Sequence, residues 1–279
     1  MSGKNAYGKD RLGEWLERIA AMRPLLECVT NVVTVNDVAN VILAAGASPV
    51  MGDAVDEVAD FVGISSAVVL NVGSMGCARS FEVAMESAAR LGKPVVYDPV
   101  GVGAAAARTN LTFRLLDKFP CAIVRGNASE IRTLAEGAGE TKGVDAAEGD
   151  AVTEKTLPDR LNVVKAVARR YNCTVAMSGA IDLISDGATS FACRNGVSWM
   201  SRVTGTGCSL TGLMGAFAAV AGKGEMAEAA AFATAMMGMA GEAAYARASS
   251  LGLGSFRVCL VDALSTIMEQ DVQPRLEMA

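Results

Sequence analysis

The chain has 279 residues, of which 51% are hydrophobic and 20% are charged, and its net charge is −5 with no histidine. This composition supplies a sizeable buried core and excludes a disordered protein, while the lack of a basic surplus excludes a nucleic-acid partner. The absence of histidine removes Ser-His-Asp and Cys-His catalysis and histidine-based zinc sites. Any proton transfer must therefore use Asp, Glu, Cys, Lys, Tyr or water.

The uncharged stretch over residues 203–222 raises the question of a membrane span. Its first third is rich in Thr, Gly, Cys and Ser, and the remaining apolar part of about fourteen residues is too short to cross a bilayer. The N-terminal segment shows no apolar signal region. The 7 cysteines have no CxxC spacing, which indicates core thiols in a reducing compartment. We expect a cytoplasmic protein with no membrane partner.

Helices and strands alternate through the first two thirds of the chain. Apolar spacing predicts a helix over 10–22, a strand over 25–30, a helix over 35–45, an extended segment over 48–51 and a helix over 53–64. Strands that are apolar throughout are predicted over 67–71, 94–97, 121–124 and 174–177, with helices near 81–91, 108–117 and 157–171 between them. Strands that are apolar on both faces indicate a parallel sheet covered by helices on both sides.

The alternation changes after residue 180. Turns at Asp186-Gly187 and Asn195-Gly196 predict antiparallel strands at the end of the sheet. Helices over 209–221, 225–248 and 258–270 then close the chain. Because no Pro/Ser-rich linker interrupts this order, we expect one α/β domain over residues 1–279.

A glycine-rich octapeptide, residues 202–209 (RVTGTGCS), precedes the predicted helix over 209–221. Gly205 and Gly207 let the backbone turn tightly, and the helix start gathers unpaired N–H groups and the positive end of the helix dipole. Such a point suits an anion, most often a phosphate. Cys208 lies at its mouth, where the pKa of the thiol is expected to fall. The alternative is an ordinary helix cap with a buried cysteine.

Polar residues follow the predicted strands, and in such sheets ligands bind beyond the carboxyl ends of the strands. Asp98 could hold Mg²⁺ or act as a base, or it could close a turn. Asn127 and Glu130 could carry a hydrated Mg²⁺ or form a capping box. Arg125 could contact phosphates or form a surface ion pair. Ser178 could bind nucleotide phosphates or enter a hairpin.

Together these residues supply what phosphoryl transfer needs: a metal, a cation and aimed backbone amides. The sequence contains no GxxxxGK[ST], which excludes a P-loop enzyme. It also lacks a GxGxxG after the first strand, which disfavours a dinucleotide-binding fold. The acceptor pocket is expected from residues 30–33 and 47–51. Met51 could line a small aromatic or sulfur-bearing ligand, or it could be ordinary core.

The motifs resemble the hydroxyethylthiazole kinase family, a thiamine-salvage branch of the ribokinase-like superfamily. The resemblance covers about residues 12–271, and its most specific part is Cys208, where most ribokinase-like enzymes have Asp. The segments that carry it are Thr30-Asn31, Asn40, 46–51 (GASPVM), 70–73 (LNVG), 98–104 (DPVGVGA), 125–131 (RGNASEI), 143–145 (GVD) and 203–208 (VTGTGC).

The resemblance implies ATP-dependent phosphorylation of 4-methyl-5-(2-hydroxyethyl)thiazole with Mg²⁺. It also implies a three-layer α/β/α sandwich and a homotrimer with sites at the subunit boundaries. Another ribokinase-like small-alcohol kinase, acting on hydroxymethylpyrimidine or a sugar, is the near alternative. A metabolite-repair dehydratase and a non-enzymatic nucleotide-binding regulator of the same fold are more distant ones.

The resemblance also implies roles for the matching positions. The thiazole would contact Met51 and Gly205, with Asn31 and Val33 nearby. ATP would bind Arg125, Ser178 and Asn127, although the family often has Thr at position 178. The metal and phosphates would be served by Glu130 and Asp98. The transferring oxygens would be held by the amides of Thr206, Gly207 and Cys208, whose thiol positions the acceptor hydroxyl or takes its proton.

Two segments depart from the family pattern. The usual GPGSF reads GLGSF over residues 252–256, and the segment after Asn31 is unusually polar at Asp37. These departures concern details of the acceptor pocket rather than the reaction.

Overall fold

The computed structural model describes residues 7–137 and 152–279. Its strands are β1 (Leu25–Val29), β2 (Ser48–Val50), β3 (Ala67–Asn71), β4 (Val95–Asp98), β5 (Ile123–Asn127), β6 (Thr174–Ser178), β7 (Asp182–Ser185), β8 (Ser190–Cys193) and β9 (Leu276–Met278). They form one sheet in the order β2-β1-β3-β4-β5-β6-β7-β8-β9. The pairings from β2 to β6 are parallel and those from β6 to β9 are antiparallel.

Ten α-helices lie in the described part of the chain. They are α1 (Lys9–Met22), α2 (Val35–Ala44), α3 (Val58–Ile64), α4 (Ala78–Leu91), α5 (Ala106–Lys118), α6 (Ala128–Glu136), α7 (Leu157–Tyr171), α8 (Thr206–Val220), α9 (Met226–Ala248) and α10 (Leu253–Ser265). None of them is both long and apolar enough to span a bilayer.

The sheet is buried on both faces, as its apolar strands predict. Along β3, Val69 packs into one core, whereas its neighbours Val68 and Leu70 pack into the other, because successive strand residues face opposite sides. The first core contains residues of α1, α2, α8, α9 and α10, and the second contains residues of α3 to α7. The predicted three-layer α/β/α sandwich, with a mostly parallel sheet and antiparallel strands at one edge, is confirmed.

Three details differ from the sequence-based expectation. The sequence does not predict β9, which is an edge strand of 3 residues. The helix expected over 53–64 occupies only Val58–Ile64, and the last helix begins at Leu253 rather than at 258. The segment 143–145, which the family resemblance includes, lies outside the described residues.

A buried carboxyl group lies within β1. Glu27 is 0% exposed, and within the described structure neither of its carboxylate oxygens has a hydrogen-bond partner. Burial, followed by the negative charges of Glu57 and Asp53, raises the pKa of Glu27 to about 8. The folded protein therefore favours the neutral acid at this position.

We expect Glu27 to make the protein less stable as the pH rises. The unfolded chain releases this proton near the ordinary pKa of 4.5, whereas the folded chain holds it until about 8, so the stabilisation is lost between these values. Because one pKa unit corresponds to about 1.4 kcal/mol, the free energy of unfolding of wild type should fall over that window relative to that of Glu27→Gln, by at most about 5 kcal/mol.

Urea unfolding at intervals from pH 5 to pH 9 measures this difference. Glu86→Gln on α4 is the matched control, because Glu86 is exposed and its replacement removes the same charge outside β1. If the stability curves of wild type and Glu27→Gln run parallel over this range, the buried carboxyl does not have the raised pKa.

Candidate active site

Four polar residues end four neighbouring parallel strands. Asn71 ends β3, Asp98 ends β4, Asn127 ends β5 and Ser178 ends β6. The register places Asn71 beside Asp98 and Asn127 beside Ser178. The carboxyl edge of the parallel sheet therefore brings these side chains together, as the rule for open α/β sheets requires.

The start of α8 reaches the same edge. We call residues 205–208 the anion loop. Gly205 has a φ of 87° and caps α8 without a side-chain hydrogen bond. A Cβ at this position would lie 2.7 Å from Cγ2 of Thr34, so both the backbone conformation and the space require glycine. The first amides of the helix have no partner inside it, and α8 contacts the end of the sheet through the hydrogen bond from Thr211 to Asp98.

The guanidinium of Arg125 packs directly against the anion loop. A Cβ on Gly207 would lie 2.5 Å from Nη1 of Arg125. Nη2 donates a hydrogen bond of 2.5 Å to Oγ of Ser178, and Nη1 lies 3.5 Å from Oδ2 of Asp98. The arginine side chain is only 12% exposed. It is thus held at the helix start, and the alternative of a surface ion pair is wrong.

Asp98 is the central carboxylate of the site and is fully buried. Its Oδ2 accepts hydrogen bonds from Nδ2 of Asn71 at 2.9 Å and from Oγ1 of Thr211 at 2.8 Å. Oδ1 has no hydrogen-bond partner within the described structure. Burial raises the pKa of Asp98 to about 6, with Arg125 opposing the shift and Glu130 adding to it.

Glu130 forms a capping box, one of the two roles that the sequence allows for it. Its Oε2 accepts from the amide of Asn127 at 2.8 Å, and the amide of Glu130 donates to Oδ1 of Asn127 at 2.9 Å. Its Oε1 accepts from the amide of Gly101 at 2.9 Å. The carboxylate is therefore fixed close enough to Asp98 to raise its pKa. Its role towards a metal stays a prediction.

The environment of Cys208 differs from the expectation. The groups that act on the pKa of its thiol are the side chains of Asp98, Thr34, Arg125 and Asn71. Burial, followed by the negative charge of Asp98, raises the pKa of the thiol above its ordinary value. The expected fall of this pKa is therefore wrong, because burial and a neighbouring carboxylate outweigh the helix N-terminus and Arg125.

The predicted acceptor residues form a loop beside this cluster. Oδ1 of Asn31 accepts from the amide of Val33 at 3.0 Å and from Oγ of Ser74 at 3.2 Å. The side chain of Val33 is 67% exposed. Met51 follows the edge strand β2 and packs, half-buried, against the core on the α8 side of the sheet. Asn31 is thus tied to the turn after β3, Val33 is exposed, and no contact joins Met51 to the cluster around Asp98 in the described structure.

A cavity of about 530 Å³ opens on the other side of the anion loop. One end is formed by Arg125, Ser178 and Gly207. Its remaining walls are mostly apolar, and they include Val197, Met200, Leu210 and Met237. The carboxyl group of Asp182 also faces it, and burial raises the pKa of that group to about 7. An apolar cavity of this volume with a cation at one end suits a small organic ligand that carries phosphates.

Sequence reasoning missed three of the residues that build this site. Asn71 ends a strand in the same way as Asp98, so the same rule could have identified it. No comparable sequence pattern identifies Thr34 or Thr211 as a site residue. Thr211 lies inside an apolar helical run, one turn after Gly207, and only the packing of α8 against β4 shows its contact with Asp98.

The donor set of the site fits a magnesium ion. No group of three or more acidic, cysteine or histidine side chains in the described residues forms a complete metal cage. Asp98 nevertheless offers an unpartnered buried oxygen, with Glu130 close by. Mg²⁺ usually binds one or two carboxylates together with water and substrate phosphates, and these residues match that pattern.

Known proteins resemble this chain over nearly its whole length. A hydroxyethylthiazole kinase of Ruminiclostridium cellulolyticum is 42% identical over 256 residues, which are 91% of this chain and 92% of the relative. The structure of hydroxyethylthiazole kinase from Pyrococcus horikoshii OT3 matches with a TM-score of 0.84 and 36% identity, covering 97% and 99% of the two chains. A ribokinase-like superfamily protein from Enterococcus faecalis V583 matches with a TM-score of 0.62 at 13% identity over 88% and 86% of the chains, which shows the fold alone.

The family comparison agrees with the geometry of the site. The sequence model of the hydroxyethylthiazole kinase family matches residues 16–270, a range that includes the strand ends, the anion loop and Cys208. The ribokinase-like fold and the resemblance seen in the motifs are thereby confirmed. The chain belongs to the hydroxyethylthiazole kinase family.

Proposed function

We propose that this protein transfers the γ-phosphoryl group of ATP to the hydroxyl of 4-methyl-5-(2-hydroxyethyl)thiazole, a step of thiamine salvage in the cytoplasm. The observation that carries the proposal is the anion loop, which has Arg125 against one side and Cys208, the family's distinguishing residue, at its mouth. The family match and the relatives at about 40% identity support the choice of acceptor.

ATP is proposed to occupy the 530 Å³ cavity. Its base would lie against the apolar walls, and its phosphates would extend towards Arg125, Ser178 and the amides of the anion loop. Asn127 ends the adjacent strand and would border the phosphates. Backbone amides and a guanidinium are the donors that stabilise the charge developing on a transferring phosphoryl group.

Mg²⁺ is proposed to lie between the carboxylates and the phosphates. Asp98 would hold it through Oδ1, and Glu130 would hold it through water, because both oxygens of Glu130 already accept backbone amides. When bound, the ion would neutralise charge on the bridging phosphate oxygens.

The acceptor is proposed to lie on the opposite side of the anion loop, between residues 31–33 and Met51, with its hydroxyl beside Gly205 and Cys208. The raised pKa of Cys208 keeps the thiol protonated near neutral pH. Positioning of the hydroxyl is therefore favoured over removal of its proton. A loose phosphoryl-transfer transition state develops little charge on the attacking oxygen, so a strong base is not required.

The acceptor assignment predicts a clear order of activity among small alcohols. Steady-state assays of purified protein with ATP and Mg²⁺ should give the highest kcat/KM for the thiazole alcohol. Hydroxymethylpyrimidine, pyridoxal and sugars should react at least about 100-fold more slowly, the discrimination that a fitted pocket achieves. A higher kcat/KM for one of these alcohols would identify that alcohol as the acceptor instead. ATP binding without turnover would show that the protein is not a kinase.

The positioning role of Cys208 predicts a modest effect of its removal. Cys208→Ala should lower kcat by about 10-fold, whereas loss of a true general base costs roughly 10²–10⁴-fold. Cys208→Ser, which keeps a hydrogen-bonding group, should be affected less, and the pH profile of kcat should keep its shape in both variants. A loss of about 10²-fold or more, or a pH limb that disappears with the thiol, would assign it as the base. Full kcat in Cys208→Ala would mean that only the amides act.

A homotrimer with sites at subunit boundaries is also proposed. Val32, within the acceptor loop, is 64% exposed, and its neighbour Val33 is 67% exposed. Apolar side chains exposed together beside a site are typical of an interface. Under this proposal a neighbouring subunit covers the acceptor loop.

Light scattering should therefore give a mass of three times 28.7 kDa. Val32→Asp should shift the protein towards smaller species and lower its activity at low protein concentration, because a buried unpaired charge disfavours the interface. Met278→Asp is the control, since Met278 is exposed on β9 at the other edge of the sheet. A wild-type monomer with full activity would contradict the trimer.

A further inference from the structure

One oxygen of Asp98 is held from two sides. Nδ2 of Asn71 donates to Oδ2 at 2.9 Å from β3, and Oγ1 of Thr211 donates to the same oxygen at 2.8 Å from α8. All three side chains are fully buried. Two donors on Oδ2 fix the rotation of the carboxylate and leave Oδ1 as the oxygen without a hydrogen bond.

Thr211 also joins the anion loop to the sheet. It lies one turn after Gly207 in α8, and its hydroxyl is 3.2 Å from the carbonyl of Gly207. A hydroxyl has only one proton to donate. The carboxylate of Asp98 is the stronger acceptor because it is ionised and closer. The bond therefore sets the distance between the amides at the start of α8 and the carboxylate at the end of β4.

Asn71 makes the equivalent connection to the acceptor side. Its Oδ1 accepts from the amide of Gly73 at 3.0 Å. The hydroxyl of the next residue, Ser74, donates a hydrogen bond of 3.2 Å to Oδ1 of Asn31. One amide group thus connects the carboxylate of Asp98 to the turn that holds the acceptor loop.

We propose that Thr211 and Asn71 are positioning residues that orient Oδ1 of Asp98 to bind the proposed magnesium ion and keep it in register with the anion loop. Neither residue needs to touch a substrate for this role. The inference rests on the proposed function because it takes Asp98 to be a magnesium ligand in the phosphoryl transfer. The proposed role explains why a threonine lies within the apolar stretch of α8 that begins at Leu210.

The test compares Thr211→Val, which keeps the shape but removes the hydroxyl, with Thr211→Ser, which keeps the hydroxyl. Thr211→Val should lower kcat by about 10–100-fold, the usual effect of losing the partner that orients a metal ligand, and Thr211→Ser should restore it to within about 3-fold. The KM for the thiazole alcohol should change little. Binding of Mn²⁺ to the ADP complex, followed by electron paramagnetic resonance, should weaken by a similar factor of about 10–100 in Thr211→Val alone.

Thr112→Val is the matched control for the loss of a buried helical hydroxyl. Thr112 is fully buried in α5, and its hydroxyl is hydrogen-bonded to that of Tyr97 at 3.1 Å. This variant should lose stability while it keeps wild-type kcat and Mn²⁺ affinity. If Thr211→Val behaves in the same way, its hydroxyl is only structural and the proposal is wrong.

Asn71→Leu removes the other hydrogen bond to the same carboxylate, the one from β3. The test therefore does not depend on the folding of one variant. It should weaken Mn²⁺ binding and lower kcat as Thr211→Val does, and unchanged Mn²⁺ affinity in a folded Asn71→Leu would also contradict the proposal. Failure of the proposed function is separate, since it appears as wild-type protein that does not phosphorylate the thiazole alcohol. The Mn²⁺ measurements still decide the positioning role in that case.

Discussion

The arrangement of the site depends on the burial of one carboxylate, Asp98, at the end of a central strand. A buried unpaired carboxylate is strongly disfavoured, and it is tolerated only where donors and cations surround it. Here these groups come from three elements: Asn71 from β3, Arg125 from β5 and Thr211 from α8. The positions of β3, β5 and α8 relative to β4 are therefore coupled to the hydrogen bonds of a single side chain.

The same carboxylate explains why the two sides of the anion loop differ. On the cavity side, Arg125 lies against Gly207 and supplies positive charge where phosphates would bind. On the acceptor side, Cys208 lies among Thr34, Asn71 and Asp98, where burial and negative charge disfavour a thiolate. If the substrates bind as proposed, a neutral hydrogen-bonding group would face the acceptor alcohol, and a cation would face ATP.

The sequence predicts the fold well because two local patterns, the apolar strands and the polar residues that end them, are enough to identify it. Strands that are apolar throughout identify the parallel sheet, and the polar residue that ends each strand identifies Asp98, Asn127 and Ser178. The remaining features depend on residues that are distant in the chain. Whether Glu130 forms a capping box is decided by distances, the partner of Thr211 lies on β4, and the pKa of Cys208 is raised by burial under elements that its own segment does not specify. The edge strand β9 is too short to show a pattern.

Under the proposed function, charge balance would couple the binding of the metal ion to that of the nucleotide. Asp98 and Glu130 lie close together, and Arg125 is the cation in contact with Asp98. A nucleotide triphosphate brings several more negative charges to the same low-dielectric edge, where repulsion is stronger than in water. Arg108, which donates to the carbonyl of Gly73 at 2.8 Å, adds a second guanidinium at this edge. Two carboxylates and a polyphosphate still carry more negative charge than two guanidinium groups and the amides of the anion loop can neutralise. We therefore expect Mg²⁺ and ATP to bind as one unit, with the free oxygen of Asp98 binding the ion most tightly when the phosphates are present.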